Sequence, residues 1–124
     1  MAQPNPVRWF EIYVQDMPRA KRFYETVLDT TLTRLESGDL EMWSFPSAPG
    51  EYGVGGTLVK MEGVRSGGNS TLVYFGCDDC SIEAGRIEGA GGTVQREKMS
   101  IGQYGYVVLA LDTEGNLIGL HSMR

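Results

Sequence analysis

Residues 9–16 read Trp-Phe-Glu-Ile-Tyr-Val-Gln-Asp, and they predict a strand that leads into a helix. Apolar side chains alternate with others through residues 10–14, which is the pattern of a half-buried strand. Asp16 then stands where an N-cap residue is expected, before a helix that starts near Pro18 and reaches Leu28. The first unit of the chain is therefore a strand followed by a helix.

The same unit occurs a second time. Residues 72–79 read Leu-Val-Tyr-Phe-Gly-Cys-Asp-Asp, and helical spacing continues from there to Gly91 and Gly92. A single offset of 63 aligns the two halves without a gap and pairs Trp9 with Leu72, Ile12 with Phe75, Val14 with Cys77, Asp16 with Asp79, and Gly56 with Gly119. The chain is predicted to be an internal repeat.

Further strand-like runs follow each helix, at Leu40 to Phe45 and Gly56 to Met61 in the first half and at Tyr106 to Leu111 and Leu117 to Ser122 in the second. We therefore predict an α+β fold of two tandem βαβββ modules. All 124 residues form one domain in this interpretation. Module 1 covers about 7–61 and module 2 about 71–122, with a glycine-rich linker over about 62–70.

Composition excludes several classes of protein. The chain has 41% hydrophobic and 22% charged residues, which is typical of a globular domain. A net charge of -5 and scattered basic residues argue against nucleic acid as a partner. No apolar run approaches the roughly 18 residues of a membrane helix, and no signal peptide is visible, so we expect a cytoplasmic protein. Cys77 and Cys80 lack the second pair that a zinc site needs, and reduced thiols are expected.

Two motifs carry a resemblance to a known family. Val14-Gln15-Asp16-Met17 leads to Phe23-Tyr24, and Asp112-Thr113-Glu114-Gly115-Asn116 precedes the last strand. Together with the paired modules, they resemble the vicinal oxygen chelate superfamily, which includes glyoxalase I, bleomycin-resistance proteins, fosfomycin-resistance enzymes and extradiol dioxygenases. The resemblance runs from about Val7 to Ser122. It implies eight strands curled around a cleft, and it implies a homodimer.

The resemblance also implies metal ligands on the first and last strands of each module. The matching positions are Trp9, Gly56, Leu72 and Gly119. Indole, an aliphatic side chain and two bare backbones offer a divalent ion no suitable donor. We therefore predict no metal site and no cofactor.

Strand alternation predicts which side chains enter the cleft, because Phe10, Ile12 and Val14 should face the helix. The predicted ligand-binding residues are Trp9, Glu11, Tyr13, Leu72, Tyr74 and His121. Aromatic rings with one acid and one imidazole suit a small organic ligand.

Two alternatives remain open at this stage. A glyoxalase- or lyase-type enzyme would use a non-standard metal site or acid–base chemistry by Glu11 and His121, which are the weak catalytic candidates. A non-catalytic interaction module would act through its dimer interface. The sequence does not decide whether the modules pair within one chain or swap between two.

Overall fold

The computed structural model describes residues 4–124 and contains two copies of one βαβββ module. The first copy comprises β1 (Trp9–Tyr13), α1 (Met17–Leu28), β2 (Thr33–Leu35), β3 (Glu41–Ser44) and β4 (Gly55–Lys60). The second comprises β5 (Val73–Gly76), α2 (Cys80–Ile87), β6 (Thr93–Ser100), β7 (Tyr106–Leu111) and β8 (Leu117–Ser122), with a short 3-10 turn at Gly102–Tyr104. The predicted α+β fold of two tandem modules is confirmed.

Each module forms its own four-stranded sheet, in the orders β1-β4-β3-β2 and β5-β8-β7-β6. β1 runs parallel to β4 and β5 runs parallel to β8, while the remaining pairs are antiparallel. Within residues 4–124 the two sheets do not join into one, so β1 and β5 are both edge strands. The cleft therefore lies between two separate sheets rather than inside a closed one.

Both helices begin at the aspartates that the sequence indicates. Asp16 accepts a hydrogen bond from the Arg19 amide at 3.0 Å, and Asp79 accepts one from the Ser81 amide at 3.0 Å. These carboxylates satisfy amides that have no partner within the helix, and their charge favours the positive end of the helix dipole. α1 ends at Asp29, whose φ of 51° takes the chain out of the helix.

A shared aromatic core joins the modules. Ile12 and Val14 are buried against α1, as the alternation predicted, and Phe10 packs on the same side. The ring of Phe10 lies 6.1 Å from that of Phe75, centroid to centroid, and Tyr24 is 5.8 Å from the same ring. Edge-to-face and tilted contacts of this kind add to the stabilisation from apolar burial.

The sheet registers correct one step of the sequence alignment. Gly56 pairs with Phe10, and a Cβ at Gly56 would meet the Phe10 ring on the core side. Gly119 pairs with Tyr74, so the residue with the equivalent place in module 1 is Thr57, which pairs with Glu11. The offset between modules is 63 at the helix caps but 62 in the last strand. The match of Gly56 with Gly119 was therefore wrong by one residue.

The turn between β7 and β8, which contains Glu114, connects module 2 to the start of α1 through hydrogen bonds. The side chain of Glu114 is fully buried and accepts hydrogen bonds from the amides of Gln15 and Asp16, each at 2.9 Å. The Arg19 guanidinium donates to the same carboxylate at 2.7 and 3.0 Å. Beside it, Asp112 accepts a hydrogen bond from the buried Tyr24 hydroxyl at 2.6 Å.

Glu114 stays ionised well into the acid range. Burial alone would raise its pKa, but the hydrogen bonds from Arg19, the Asp16 amide, Thr113 and the Gln15 amide outweigh burial and lower the pKa from 4.5 to about 2. A carboxyl whose pKa is lower in the folded state stabilises the fold above its unfolded pKa, and that stabilisation is lost as the pH falls towards 2.

We predict that Glu114→Gln lowers the free energy of unfolding by about 2 kcal/mol at pH 7, because the five hydrogen bonds that this buried carboxylate accepts lose its charge. Urea denaturation between pH 7 and pH 3 should show a steeper loss of stability for the wild type than for the variant. The exposed Glu36→Gln is the matched control and should follow the wild type. Parallel pH curves for wild type and Glu114→Gln would contradict this account.

Candidate binding groove

A groove of about 640 Å³ lies between the edges of β1 and β5 and is bordered by the linker. Five of the six residues predicted to bind a ligand line it, namely Trp9, Glu11, Tyr13, Leu72 and Tyr74. Its size falls in the usual range of sites for small organic molecules. We call this space the groove from here on.

Two aromatic rings of the groove lie on glycines of the neighbouring strands. Trp9 pairs with Gly55, and a Cβ built on Gly55 would be 3.0 Å from the indole ring. Tyr74 pairs with Gly119, where a Cβ would be 2.3 Å from the ring. Both rings therefore rest on bare backbone, with 44% of Trp9 and 48% of Tyr74 exposed. Each glycine leaves room for a flat, accessible aromatic surface.

Glu11 carries the negative charge of the groove. Its Oε1 accepts a hydrogen bond from the Tyr13 hydroxyl at 2.8 Å, two residues along the same face of β1. That hydrogen bond, followed by burial and the nearby charge, raises the pKa of Tyr13 above its ordinary value. The phenol donates this hydrogen bond, which favours one orientation of the exposed carboxylate.

Sequence reasoning missed Arg65, Asn69 and Val54, which also line the groove. Arg65 and Asn69 belong to the linker, whose composition indicates only an exposed connection. Asn69 is held in place, because its side chain donates to the Leu117 carbonyl at 3.0 Å and accepts from the Leu117 amide at 2.9 Å. No periodic pattern marks such loop residues, so the fold itself is needed to find them.

His121 is not among the residues that line the groove. It lies on β8 opposite Val107, and its Nε2 is 2.6 Å from the carbonyl oxygen of Tyr104. Glu11 bonds to Tyr13 instead. Among the residues that the structure describes, the two weak catalytic candidates therefore have separate hydrogen-bond partners and make no hydrogen bond to each other.

The positions that the resemblance assigns to metal ligands do not fit a metal. With the corrected register they are Trp9, Thr57, Leu72 and Gly119, and the only side-chain heteroatoms among them are an indole nitrogen and a neutral hydroxyl. The Thr57 hydroxyl is buried and has no hydrogen-bond partner within the described part of the chain. Residues 4–124 contain no group of three or more His, Cys, Asp or Glu side chains placed to hold an ion.

The two cysteines have the properties of unreactive thiols. Cys80 is fully buried at the start of α2. Burial and the nearby Glu83 raise the pKa of the Cys77 thiol to about 12. Both thiols are free, so the Cys-x-x-Cys spacing forms no disulfide here.

Comparison with known families identifies the class of this protein. The family model described as Glyoxalase/Bleomycin resistance protein/Dioxygenase superfamily matches residues 7–120. The chain belongs to this superfamily, as the sequence motifs indicated. No curated protein matches the chain.

Solved structures show the same fold. Glyoxalase I from Zea mays is 20% identical with a TM-score of 0.74, and the match covers 95% of this chain and 46% of that one. TnmS3, an antibiotic binding protein from Streptomyces sp. CB03234, is 22% identical with a TM-score of 0.66 over 94% of this chain and 93% of that one. A glyoxalase/bleomycin resistance protein/dioxygenase family enzyme from Burkholderia phytofirmans PsJN is 15% identical with a TM-score of 0.69, over 94% and 97% of the two chains.

This chain therefore spans about half of the maize glyoxalase I chain and nearly all of the other two. At these identities the similarity shows the fold alone. None of the helices in residues 4–124 combines the length and the apolar character that a membrane crossing requires.

Proposed function

We propose that this protein binds a small organic molecule in the groove, without a metal ion and without turnover. The observation that carries the proposal is the pair of half-exposed rings, Trp9 and Tyr74, each resting on a glycine backbone. Large exposed rings in a concave site supply contact area at little cost in side-chain entropy. Leu72 and Tyr13 line the same groove.

Support also comes from the comparison with TnmS3, whose description is that of an antibiotic binding protein. That protein has the same fold at almost the same length. A flat or aliphatic ligand would stack on Trp9 and Tyr74, and Glu11 and Arg65 would orient its polar ends. The cytoplasmic location stays a prediction.

The enzyme alternative has weaker support. Acid–base catalysis by Glu11 and His121 needs both groups within hydrogen-bond reach of one substrate. His121 instead faces the Tyr104 carbonyl outside the groove. Loss of a measurable activity on His121→Ala would revive this alternative.

The binding proposal predicts a response that is specific to the groove. We expect flat aromatic compounds, screened by thermal shift, to bind the wild type, and Tyr74→Ala to weaken the best of them about tenfold because one stacking surface is lost. Tyr52→Ala is the matched control, since Tyr52 is fully exposed outside the groove. Equal affinities of the two variants, measured by isothermal titration, would rule out the groove as the site.

We also propose that the protein is a homodimer. Leu109, Leu111 and Leu117 lie on the face of the second sheet that also carries Gly119, and each remains partly exposed there; Leu117 also lines the groove. An apolar sheet face of this kind is usually covered in the functional state, and a second chain would supply the cover.

Light scattering on a sizing column should give twice the chain mass of 13.6 kDa. Leu109→Asp should shift the mass to that of one chain, because a charge would then lie in an apolar contact. Ile82→Asp is the control on α2, where Ile82 is already 54% exposed. A wild type that stays monomeric at micromolar concentration would contradict the dimer.

A further inference from the structure

The Glu11 carboxylate forms no ion pair within residues 4–124. The ion pairs among residues 4–124 are Arg19–Glu114, Lys21–Glu25 and Lys98–Asp79, and none of them includes Glu11. The Tyr13 hydroxyl occupies Oε1, and Oε2 has no hydrogen-bond partner in the described residues. Arg65 lines the same groove but forms no ion pair there with Glu11. Glu11 therefore offers a ligand in this groove a carboxylate without an ion-pair partner among the described residues.

Aromatic rings line the same groove as this carboxylate. Trp9, Glu11 and Tyr13 lie on one face of β1 at alternate positions, which places successive side chains about 7 Å apart. Tyr74 lines the same groove from β5. The faces of indole and phenol rings are the negative parts of their charge distributions, so they attract a cation as the carboxylate does. The rings and the carboxylate thus both favour a cationic group.

The architecture around the rings keeps them accessible for such contact. Gly119 lies beneath the Tyr74 ring and Gly55 beneath the Trp9 ring, so each ring is supported on one side by backbone. About half of each side chain remains exposed towards the groove and solvent. The protein as a whole has a net charge of -5, and this charge attracts cations from solution.

We propose that the ligand of the groove carries a cationic nitrogen, an amine or quaternary ammonium joined to an apolar or aromatic body, and that this nitrogen lies against Glu11 between Trp9 and Tyr74. This inference rests on the proposed function, because it names the chemical class of the ligand that the groove takes. Glu11 is then a specificity-determining residue. Arg65, at the linker side, suits an anionic or hydrogen-bond-accepting group elsewhere on the same ligand.

The test compares two probes of the same shape and different charge. Benzyltrimethylammonium and its neutral carbon isostere, neopentylbenzene, are titrated separately into the ¹⁵N-labelled full-length chain, with the neutral probe kept below its solubility limit. Amide shifts of β1 and β5 report occupancy of the groove. We expect the cation to bind about tenfold more tightly than the isostere, as cation–π contacts with an added carboxylate require.

Two variants assign this preference to one residue. Glu11→Gln should reduce the preference for the cation to about twofold or less and leave the affinity of the neutral probe unchanged. Glu36→Gln removes the same charge from an exposed position outside the groove, and it should keep the full preference. A Glu11→Gln protein that still prefers the cation tenfold would overturn the role of Glu11.

The remaining outcomes separate this inference from the proposed function. Equal binding of both probes, with shifts in the groove, overturns the cationic class and leaves the small-molecule binder intact. The same holds if neither probe binds but flat neutral compounds from the aromatic screen do. If no compound of any kind shifts the groove amides, the proposed function fails, and the cationic class fails with it.

Discussion

The buried carboxylate of Glu114 connects the two modules, and the shape of the groove depends on that connection. It accepts hydrogen bonds from two amides before α1 and from the guanidinium of Arg19. The turn before β8 in module 2 therefore holds the first helix of module 1 in place. The adjacent Asn116 donates to the Tyr13 carbonyl at 3.0 Å and accepts from the Gly67 amide at 2.7 Å. The end of β1, the linker and the start of β8 are thereby tied to one turn. These elements border the groove, so its geometry follows from this polar network as well as from the aromatic core.

Two glycines provide the space that the aromatic rings of the groove occupy. In a sheet, a glycine leaves the space above it free for a side chain of the neighbouring strand. Tyr74 uses that space at Gly119, the position where the family resemblance places a metal ligand. A ligating side chain at that position would occupy the volume of the tyrosine ring. Glycine at position 119 therefore provides no metal donor and leaves space for the Tyr74 ring.

Much of the fold could be predicted from the sequence, because its signals are local. The aspartate caps, the alternation of residues 10–14 and the repeat are all visible in short windows, and β7 and β8 have the predicted bounds. β2 and β6 carry mixed polar residues and were not found as runs; β6 also shifts register against β7 near Arg96. The alignment of Gly56 with Gly119 failed because register depends on pairing between strands distant in the chain, and a shift of one residue reverses the face.

The candidate site was harder to predict than the fold. Trp9, Glu11 and Tyr74 line one groove, but so do Phe10 and Ile12, which the alternation assigned to the helix side, because the groove follows the edge of β1 and not one face of it. His121 was included by the same parity, but the turn at Gly102–Tyr104 provides it with a carbonyl partner instead. Arg65 comes from the linker, where no periodicity applies. The sequence therefore did not predict the contacts that loop residues make.

We propose that this cleft presents aromatic rings and no set of metal ligands. The most direct test is elemental analysis of the purified, untagged protein, followed by isothermal titration of zinc, nickel and manganese on the same sample. The account predicts no stoichiometric metal in the sample and no tight binding in the titrations, because Trp9, Thr57, Leu72 and Gly119 provide no adequate donor set. One tightly bound metal ion per chain would contradict it.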